Sequence, residues 1–321
     1  MGLSLLNQAF RLIFLHQFNG LTDHKRIIIF LIVCWLTFGS SLMAAEYKVG
    51  LRAKNGLEAA FAKWQPTLDV LNRQLPEHTF TLMPILSLKE ITQLAGNGEF
   101  DFVLTNPSSF VEIEQRYGAK ALATLNNKRA NNAQSHFGSV IFTHVKNTEI
   151  LGVEDLKGRK LIAVSEPAFG GWRVAWLELL KQGFDPYSDL NELMFTKGRT
   201  QPEVVKAVLD GIADAGVVRT DLLERLEAAG KIDMRYIRIL NNKDVQSFPF
   251  FLSTDLYPEW AFAALKHVPD DHAAQVREAL ATINQHSDAA QLGKYVGWIS
   301  PMDYGTVRDL MKTLKVGPYA D

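Results

Sequence analysis

Apolar strand patterns and helix patterns alternate along the chain from Glu46, and this alternation limits the possible fold more than any other feature. Stretches with apolar residues at helical spacing separate short runs that are typical of strands. The pattern predicts strands at 46–53, 78–86 and 98–105 and helices at 57–75 and 107–118. Strands that are separated regularly by helices indicate an α/β fold with a largely parallel sheet.

A second set of the same kind follows the run SVIFTHV at 139–145, where the chain is expected to leave the first sheet. This set predicts strands at 160–165, 192–196 and 214–219 and helices at 171–182 and 202–212. The last 75 residues are expected to be mainly helical. We therefore predict two lobes, 46–143 with 247–321 and 144–246, and hinge segments near 143–146 and 241–247.

The first 45 residues are expected to direct export rather than to join the fold. A basic flank at 24–26, an apolar run at 27–38 and a tail of small residues form the pattern of a secretory signal peptide, which would be cleaved after Ala44 or Ala45. The alternative is an uncleaved membrane anchor, because residues 27–45 carry no charge. The only cysteine, Cys34, lies in this segment, so the exported part would contain no disulfide.

Composition and motifs argue against several classes of protein. The formal net charge of −1 differs from the basic surplus that a nucleic-acid-binding protein normally shows. The eight histidines form no HExxH motif, and no GxSxG motif is present. We therefore expect no enzyme activity, no metal and no cofactor.

The octapeptide VLTNPSSF at 103–110 leads from an apolar strand directly into a helix without a charged residue. Ligands of α/β proteins bind beyond the carboxyl ends of parallel strands, where a helix start offers backbone N–H groups without intrahelical partners. The side chains that would add donors for an anion are Thr105, Asn106, Ser108 and Ser109. The alternative interpretation is an ordinary helix N-cap without a ligand.

The segment SEPAFGGW at 165–172 has the same form in the predicted second lobe. Ser165 ends a strand, and Gly170 and Gly171 would allow the backbone of a helix start to approach an oxyanion closely. Phe169 is expected to form a wall of the pocket. The sequence contains no complete glycine-rich phosphate-binding motif.

Arg219 follows the predicted strand 214–219 and would lie at the expected cleft, with Thr220 beside it. A guanidinium group matches an oxyanion through two parallel hydrogen bonds. The alternative is a salt bridge with Asp221 or another neighbour.

Three further candidates are selected from their position in the sequence. Arg52 and Lys54 follow the first predicted strand, and His136 lies near the crossover between the lobes. For His136 the alternative is a position in an exposed hinge loop.

The chain resembles the type II periplasmic solute-binding proteins, in particular the group that binds phosphate, phosphite and phosphonates. Within this group it is most similar to the periplasmic sensor domains of tetrathionate-responsive histidine kinases. The resemblance implies two α/β lobes, each a mainly parallel sheet flanked by helices, with the ligand cleft between them. It is carried by FDFVLTNPSSFVEIE (100–114), AVSEPAFGGWRVAWLELL (163–180), DAGVVRTDLLERL (214–226), FPFFLSTDLYPEW (248–260) and the ending YVGWISPMDY…GPY (295–319).

The function expected from this resemblance is that of a periplasmic solute-binding protein. It would capture a small oxyanion, either phosphonate- or phosphate-like or a sulfur oxyanion, for the permease of an ABC transporter. The alternative is a sensory module of a two-component system that lacks its own kinase domain and acts with a separate sensor kinase. In both cases we expect membrane contact only through the N-terminal segment and no nucleic-acid partner.

Overall fold

A computed structural model describes residues 45–53 and 56–320. The predicted signal segment, apart from Ala45, and the site candidate Lys54 lie outside the described residues. Among the residues that are described, no helix combines the length and the apolar character needed to cross a membrane.

In the first two thirds of the chain the strands follow the predicted alternation, except for those between residues 120 and 137, which the sequence analysis did not predict. In chain order they are β1 (Ala45–Arg52), β2 (His78–Ile85), β3 (Phe102–Thr105), β4 (Lys120–Arg129), β5 (Asn132–Gln134), β6 (His136–Phe137), β7 (Ser139–His144), β8 (Lys160–Ala163), β9 (Glu192–Phe195), β10 (Ala215–Arg219), β11 (Ile237–Leu240), β12 (Tyr257–Pro258), β13 (Ala261–Ala264) and β14 (Tyr295–Ile299).

The helices alternate with these strands and cover the faces of the sheets. They are α1 (Leu57–Gln74), α2 (Leu88–Gly96), α3 (Pro107–Tyr117), α4 (Val174–Lys181), α5 (Gln201–Leu209), α6 (Leu222–Ala228), α7 (Asp270–Ala281), α8 (Asp288–Gly293) and α9 (Gly305–Thr313). Ser87 caps α2, because its Oγ accepts a hydrogen bond from the backbone N of Glu90 at 3.4 Å.

The strands form two main sheets, one in each lobe. The first sheet has the order β14-β4-β13-β3-β1-β2, with β5 paired to β4, and the second has the order β11-β7-β10-β8-β9. In the first sheet β1 and β3 are parallel, whereas β13 is antiparallel to β3 and β4. In the second, β8 is parallel to β9 and β10, whereas β7 is antiparallel to β10 and β11. The two-lobed α/β fold is confirmed, and both sheets are mixed.

The lobes are connected through a short two-stranded ribbon. Strand β6 precedes β7 of the second sheet, β12 precedes β13 of the first, and the two pair antiparallel with Phe137 opposite Tyr257. The hinge prediction near 143–146 and 241–247 is therefore wrong by several residues, because β7 already pairs in the second sheet from Ser139. The chain after β11 also stays on that lobe, since the backbone N of Ser253 donates to the Ser139 carbonyl at 2.9 Å. The predicted lobe limits differ from the strand pairing at residues 139–143.

Helices exceed strands in the C-terminal region, as expected, but the sequence analysis missed two strands of the first sheet there. Strands β13 and β14 insert into the first sheet on both sides of β4. The sequence of β13, AFAA, contains no β-branched residue, and all four of its residues are buried. Its strand conformation follows from its position between β3 and β4 rather than from local propensity.

Candidate ligand-binding site

Two adjoining cavities lie between the lobes. The helix chamber has a volume of about 740 Å³ and is lined by the starts of α3 and of the helical segment that begins at Phe169. The lysine chamber has a volume of about 530 Å³ and contains Lys63. The two chambers share a boundary formed by Arg52, Arg199, Gln201, Arg219 and Trp260.

Most of the residues predicted from the sequence line the helix chamber. From the first lobe these are Arg52, Asn106, Ser108 and Ser109, and from the second lobe they are Ser165, Phe169, Gly170, Gly171 and Arg219. The two segments that the sequence analysis selected independently thus face one another across the same cleft.

The start of α3 is capped by its own sequence. Asn106 Oδ1 accepts hydrogen bonds from the backbone N of Ser108 at 3.1 Å, from the backbone N of Ser109 at 3.2 Å and from Ser108 Oγ at 2.8 Å. Asn106 Nδ2 donates to Ser109 Oγ at 3.2 Å, which leaves the Ser109 hydroxyl hydrogen available for another acceptor. The N-cap interpretation of VLTNPSSF therefore holds for the backbone N–H groups of the helix start. The contacts that this segment can still offer to a ligand are those of its side-chain hydroxyls.

The helix start in the second lobe has no such cap. Residues Phe169–Arg173 form a π-helical turn that continues into α4, and no side chain caps it. The first backbone hydrogen bond of the turn runs from the N of Arg173 to the carbonyl of Ala168 at 3.0 Å. The N–H groups that precede it have no intrahelical partners and are suited to an anion.

Close packing fixes Gly170 in this turn. A Cβ at Gly170 would lie 2.6 Å from Phe137 Cε2 and 3.4 Å from Arg219 Cγ. The ring of Phe137 in turn packs edge-to-face on Phe169, with the ring centroids 5.9 Å apart. The glycine therefore brings the helix start, the hinge strand β6 and the arginine into direct contact.

Arg173 adds a buried cation to the same helix start. Its Nε is buried and makes no hydrogen bond to any described residue. Burial lowers the pKa of Arg173, although Glu112 and Glu166 partly offset this effect, and the group remains a cation because its ordinary pKa is far above neutral. An oxyanion in the helix chamber would supply the partner that this guanidinium lacks.

Arg219 lies at the boundary between the chambers and is held by a buried carboxylate. Its Nη2 pairs with Oε1 of Glu259, and its guanidinium stacks on Phe137 with Cζ 4.0 Å from the ring centroid. The salt-bridge alternative is thus what the structure shows, with Glu259 as partner in place of Asp221. The guanidinium still lines both chambers.

Glu259 is fully buried and connects groups from both lobes. Asn127 Nδ2 of β4 donates to Glu259 Oε1 at 2.8 Å, and Arg129 Nη2 lies 3.9 Å from the same oxygen. Burial alone would raise the pKa of Glu259, but the cations Arg219 and Arg129 outweigh burial and lower it. Arg129 also pairs with Asp221 at 3.5 Å, so a second ion pair connects the lobes.

Three of the predicted site residues are described but do not line either chamber. Thr105 is fully buried in β3, and Thr220 Oγ1 is buried and accepts from the backbone N of Gly138 at 3.3 Å. His136 lies in hinge strand β6, where its Nδ1 is 3.1 Å from Ser135 Oγ. These three belong to the framework around the cleft, and Lys54 lies outside the described residues.

Sequence analysis missed the residues that give the cleft most of its charge. These are Lys63, Lys89, Arg116, Arg129, Arg173, Arg199 and Arg225, and the uncharged Gln201 and Trp260 were missed as well. Arg173 offered a signal, because it follows the glycine pair by two residues. Lys63 and Arg129 lie in a helix and in a strand whose patterns give no sign of a ligand. Among the described residues, no cluster of three or more His, Cys, Asp or Glu is arranged to hold a metal ion.

A family model for the periplasmic substrate-binding protein of phosphonate ABC transporters matches residues 55–304. The tetrathionate sensor histidine kinase TtrS of Salmonella typhimurium is 31% identical over 277 residues, which are 86% of this chain and 45% of the kinase. The chain therefore spans less than half of that relative's length.

Two solved structures show the same fold. XAC2383 of Xanthomonas citri bound to ATP has a TM-score of 0.66 and 17% identity, covering 87% of this chain and 100% of that one. PhnD1 of Prochlorococcus marinus in complex with methylphosphonate has a TM-score of 0.62 and 13% identity, covering 84% of this chain and 98% of that one. Because the family model matches most of its length, the chain belongs to the periplasmic substrate-binding proteins of phosphonate ABC transporters.

Proposed function

We propose that the protein binds a small oxyanion in the cleft between its lobes and delivers it to the permease of an ABC transporter. The observation that carries this proposal is the surplus of cations in the helix chamber. Its lining contains six basic side chains and one carboxylate, that of Glu112, which pairs with Arg116 at 3.2 Å. The six are Arg52, Lys89, Arg116, Arg173, Arg199 and Arg219.

The geometry favours an anion with several oxygen atoms. The uncapped helix start at Phe169 offers backbone N–H groups, and the buried Arg173 guanidinium offers donors in a planar fork. Ser109 adds a hydroxyl from the opposite lobe. Donors from both lobes would bind the same anion, so that binding favours lobe closure about β6 and β12.

Secretion into the periplasm is part of the proposal. The family consists of periplasmic proteins, and residues 24–45 have the pattern of a signal peptide. We propose that the segment is cleaved and that the free protein carries its ligand to the membrane.

The second candidate function is a sensory module that acts with a separate kinase. It is supported by the 31% identity to a tetrathionate sensor histidine kinase, which extends over 86% of this chain. Transport predicts that the purified protein interacts with an ABC permease in a ligand-dependent manner, whereas sensing predicts a ligand-dependent interaction with a histidine kinase.

Thermal unfolding in the presence of candidate ligands tests the shared part of both functions. The panel contains phosphate, phosphite, methylphosphonate, sulfate, thiosulfate and tetrathionate, with neutral sugars as controls. A ligand at one hundred times its dissociation constant adds about 2.7 kcal/mol to the free energy of unfolding, which raises the melting temperature by several degrees. A shift with a sugar but with none of the anions would overturn the proposal.

A further inference from the structure

The lysine chamber is a second cationic compartment, separate from the helix start that would bind the oxyanion. Its lining contains six basic side chains and one carboxylate, that of Asp221. The six are Arg52, Lys63, Arg129, Arg199, Arg219 and Arg225. An anion in the helix chamber would not contact the three cations that line only the lysine chamber, Lys63, Arg129 and Arg225.

The acidic groups nearby do not balance these cations. Asp221 pairs with Arg225 at 2.8 Å and with Arg129 at 3.5 Å, and Glu259 pairs with Arg219. Within the described part of the chain, no carboxylate forms an ion pair with Lys63, Arg52 or Arg199. The chamber therefore carries a net positive charge of several units.

Two of these cations are half-buried in the chamber wall. Arg129 Nε is buried and makes no hydrogen bond to any described residue, and its side chain is only 22% exposed. Lys63 Nζ lies 4.7 Å from the centroid of the Trp64 ring. Burial and the nearby charge of Arg129 lower the pKa of Lys63 to about 8. An anionic group placed between them would remove an unfavourable arrangement of charge.

The two chambers adjoin one another, and the side chains at their boundary are mainly polar. Gln201 Oε1 accepts a hydrogen bond from the backbone N of Arg219 at 2.7 Å, so its Nε2 group is left to donate towards the cleft. Trp260 offers an apolar surface beside it and lines both chambers. Each chamber falls within the range of about 300–1,000 Å³ that is usual for a whole small-molecule ligand. A single tetrahedral oxyanion would leave most of this space empty.

We propose that the physiological ligand carries two anionic groups on a short linker. One group binds at the helix start in the helix chamber, and the other binds to Lys63 and Arg129 in the lysine chamber. The linker passes Gln201 and lies against Trp260. This inference rests on the proposed function, because it specifies the class of ligand for the same cleft.

Calorimetric titration of the protein with matched pairs of ligands tests the inference. The sulfonate pair is 1,2-ethanedisulfonate and 2-hydroxyethanesulfonate, and the phosphonate pair is 1,2-ethylenediphosphonate and 2-hydroxyethylphosphonate. Within each pair the linker is the same, and only the second group differs in charge. We expect one bis-anion per protein and an affinity at least about tenfold above that of the single anion in one of the pairs, as hydrogen-bonded ion pairs supply.

A matched pair of variants assigns the effect to the lysine chamber. Lys63→Met should lower the affinity ratio between bis-anion and single anion severalfold, because only Arg129 then remains to bind the second group. Lys120→Met is the control, because Lys120 lies outside both chambers and pairs with Asp270 at 2.9 Å on the surface. It should preserve the ratio of the wild type.

Three outcomes would overturn the inference. These are equal affinities within both pairs for the wild type, binding of two single anions per protein, and an unchanged ratio in folded Lys63→Met protein. In the first two cases a single anion still binds, so the proposed function stands. If none of the four compounds binds, the inference is overturned too, and if the thermal panel of anions is also negative, the proposed function fails as well.

Discussion

The buried carboxylate of Glu259 and its cationic partners determine the structure of this cleft more than its hydroxyl groups do. Glu259 has no exposed surface and lies among Arg219, Arg129 and Asn127. A buried carboxylate of this kind is stable only while its partners remain, because removing one partner leaves charge without compensation. Arg219 thus has a structural partner as well as a place on the cleft wall.

Arg219→Met is expected to destabilise the fold as well as to weaken ligand binding. Since Glu259 keeps Asn127 and the more distant Arg129, we expect a loss of about 2–3 kcal/mol in the free energy of unfolding, below the usual cost of breaking a buried pair. Denaturant unfolding measures this loss. The double variant Arg219→Met/Glu259→Gln should recover part of it, and a single variant as stable as the wild type would contradict the role of the pair.

Lys63 should give the unliganded protein a distinctive pH dependence. Its pKa is lowered to about 8 in the folded protein by burial and by Arg129, whereas the unfolded value is about 10.4. Between these two values the unfolded chain binds more protons, so the contribution of Lys63 to stability rises with pH, by up to about 1.4 kcal/mol per pH unit. Below pH 8 both states are protonated and this contribution does not change.

Comparison with Lys63→Met isolates this effect. Unfolding free energies measured from pH 7 to pH 10 should rise less steeply in the variant than in the wild type. Anion affinity should change in the opposite sense, because deprotonation above pH 8 removes a charge from the lysine chamber. Parallel stability curves for the two proteins would show that Lys63 is not buried as described.

The sequence analysis identified a charged side chain that lines the cleft, but it did not identify the carboxylate with which that side chain pairs. Arg219 could be selected because it follows an apolar strand, whereas Glu259 lies 40 residues further along, in a segment without a site pattern. Lys63 belongs to an ordinary helix, and its role depends on the second lobe. A pairing across lobes is a property of the tertiary structure and leaves no local signal.

At the scale of elements, the two helix starts that line the cleft differ in whether a side chain caps their first backbone N–H groups. The start of α3 satisfies its first N–H groups with Asn106, whereas the start at Phe169 has no side-chain cap. Both lie at the carboxyl end of a strand, so the sequence correctly predicted where the helices begin. Which start remains available to a ligand depends on the hydrogen bonds that Asn106 makes.

Asn106→Ala should therefore lower stability through the loss of a cap. We expect a cost of about 1 kcal/mol in the free energy of unfolding, within the usual range for such caps. Ser165→Ala is the matched control, because Ser165 lines the same chamber but caps no helix, and it should cost much less. Equal costs for the two variants, measured by denaturant unfolding, would contradict the capping role.

The sequence analysis missed strands whose amino-acid composition does not favour a strand conformation. Before residue 220 the alternation predicted β1 to β3 and β8 to β10, where apolar β-rich runs and helical spacing agree, but it did not predict β4, β5 or β6. In β13 the sequence AFAA favours a helix, and pairing with β3 and β4 overrides this preference. The hinge was misplaced for a related reason, since β6 and β12 have only two residues each.

At the scale of the whole molecule, the fold brings two separately selected segments to one cleft. Residues 106–109 and 165–171 are far apart in sequence and line the same chamber. The resemblance to two-lobed binding proteins predicts that these two segments line the same cleft. It does not predict the positive charge of the cleft, and the chain as a whole is nearly neutral. The cations are concentrated by folding rather than by composition.

Hydrogen exchange with and without an anionic ligand tests the central claim most directly. The account predicts slower exchange in peptides that cover 166–173 and 197–201, because bound oxyanions would occupy the N–H groups of the uncapped helix start and order the adjoining loop. A peptide from α7, which lies outside both chambers, should be unaffected. Binding that leaves exchange at 166–173 unchanged, or protects α7 instead, would contradict an anion site between the lobes.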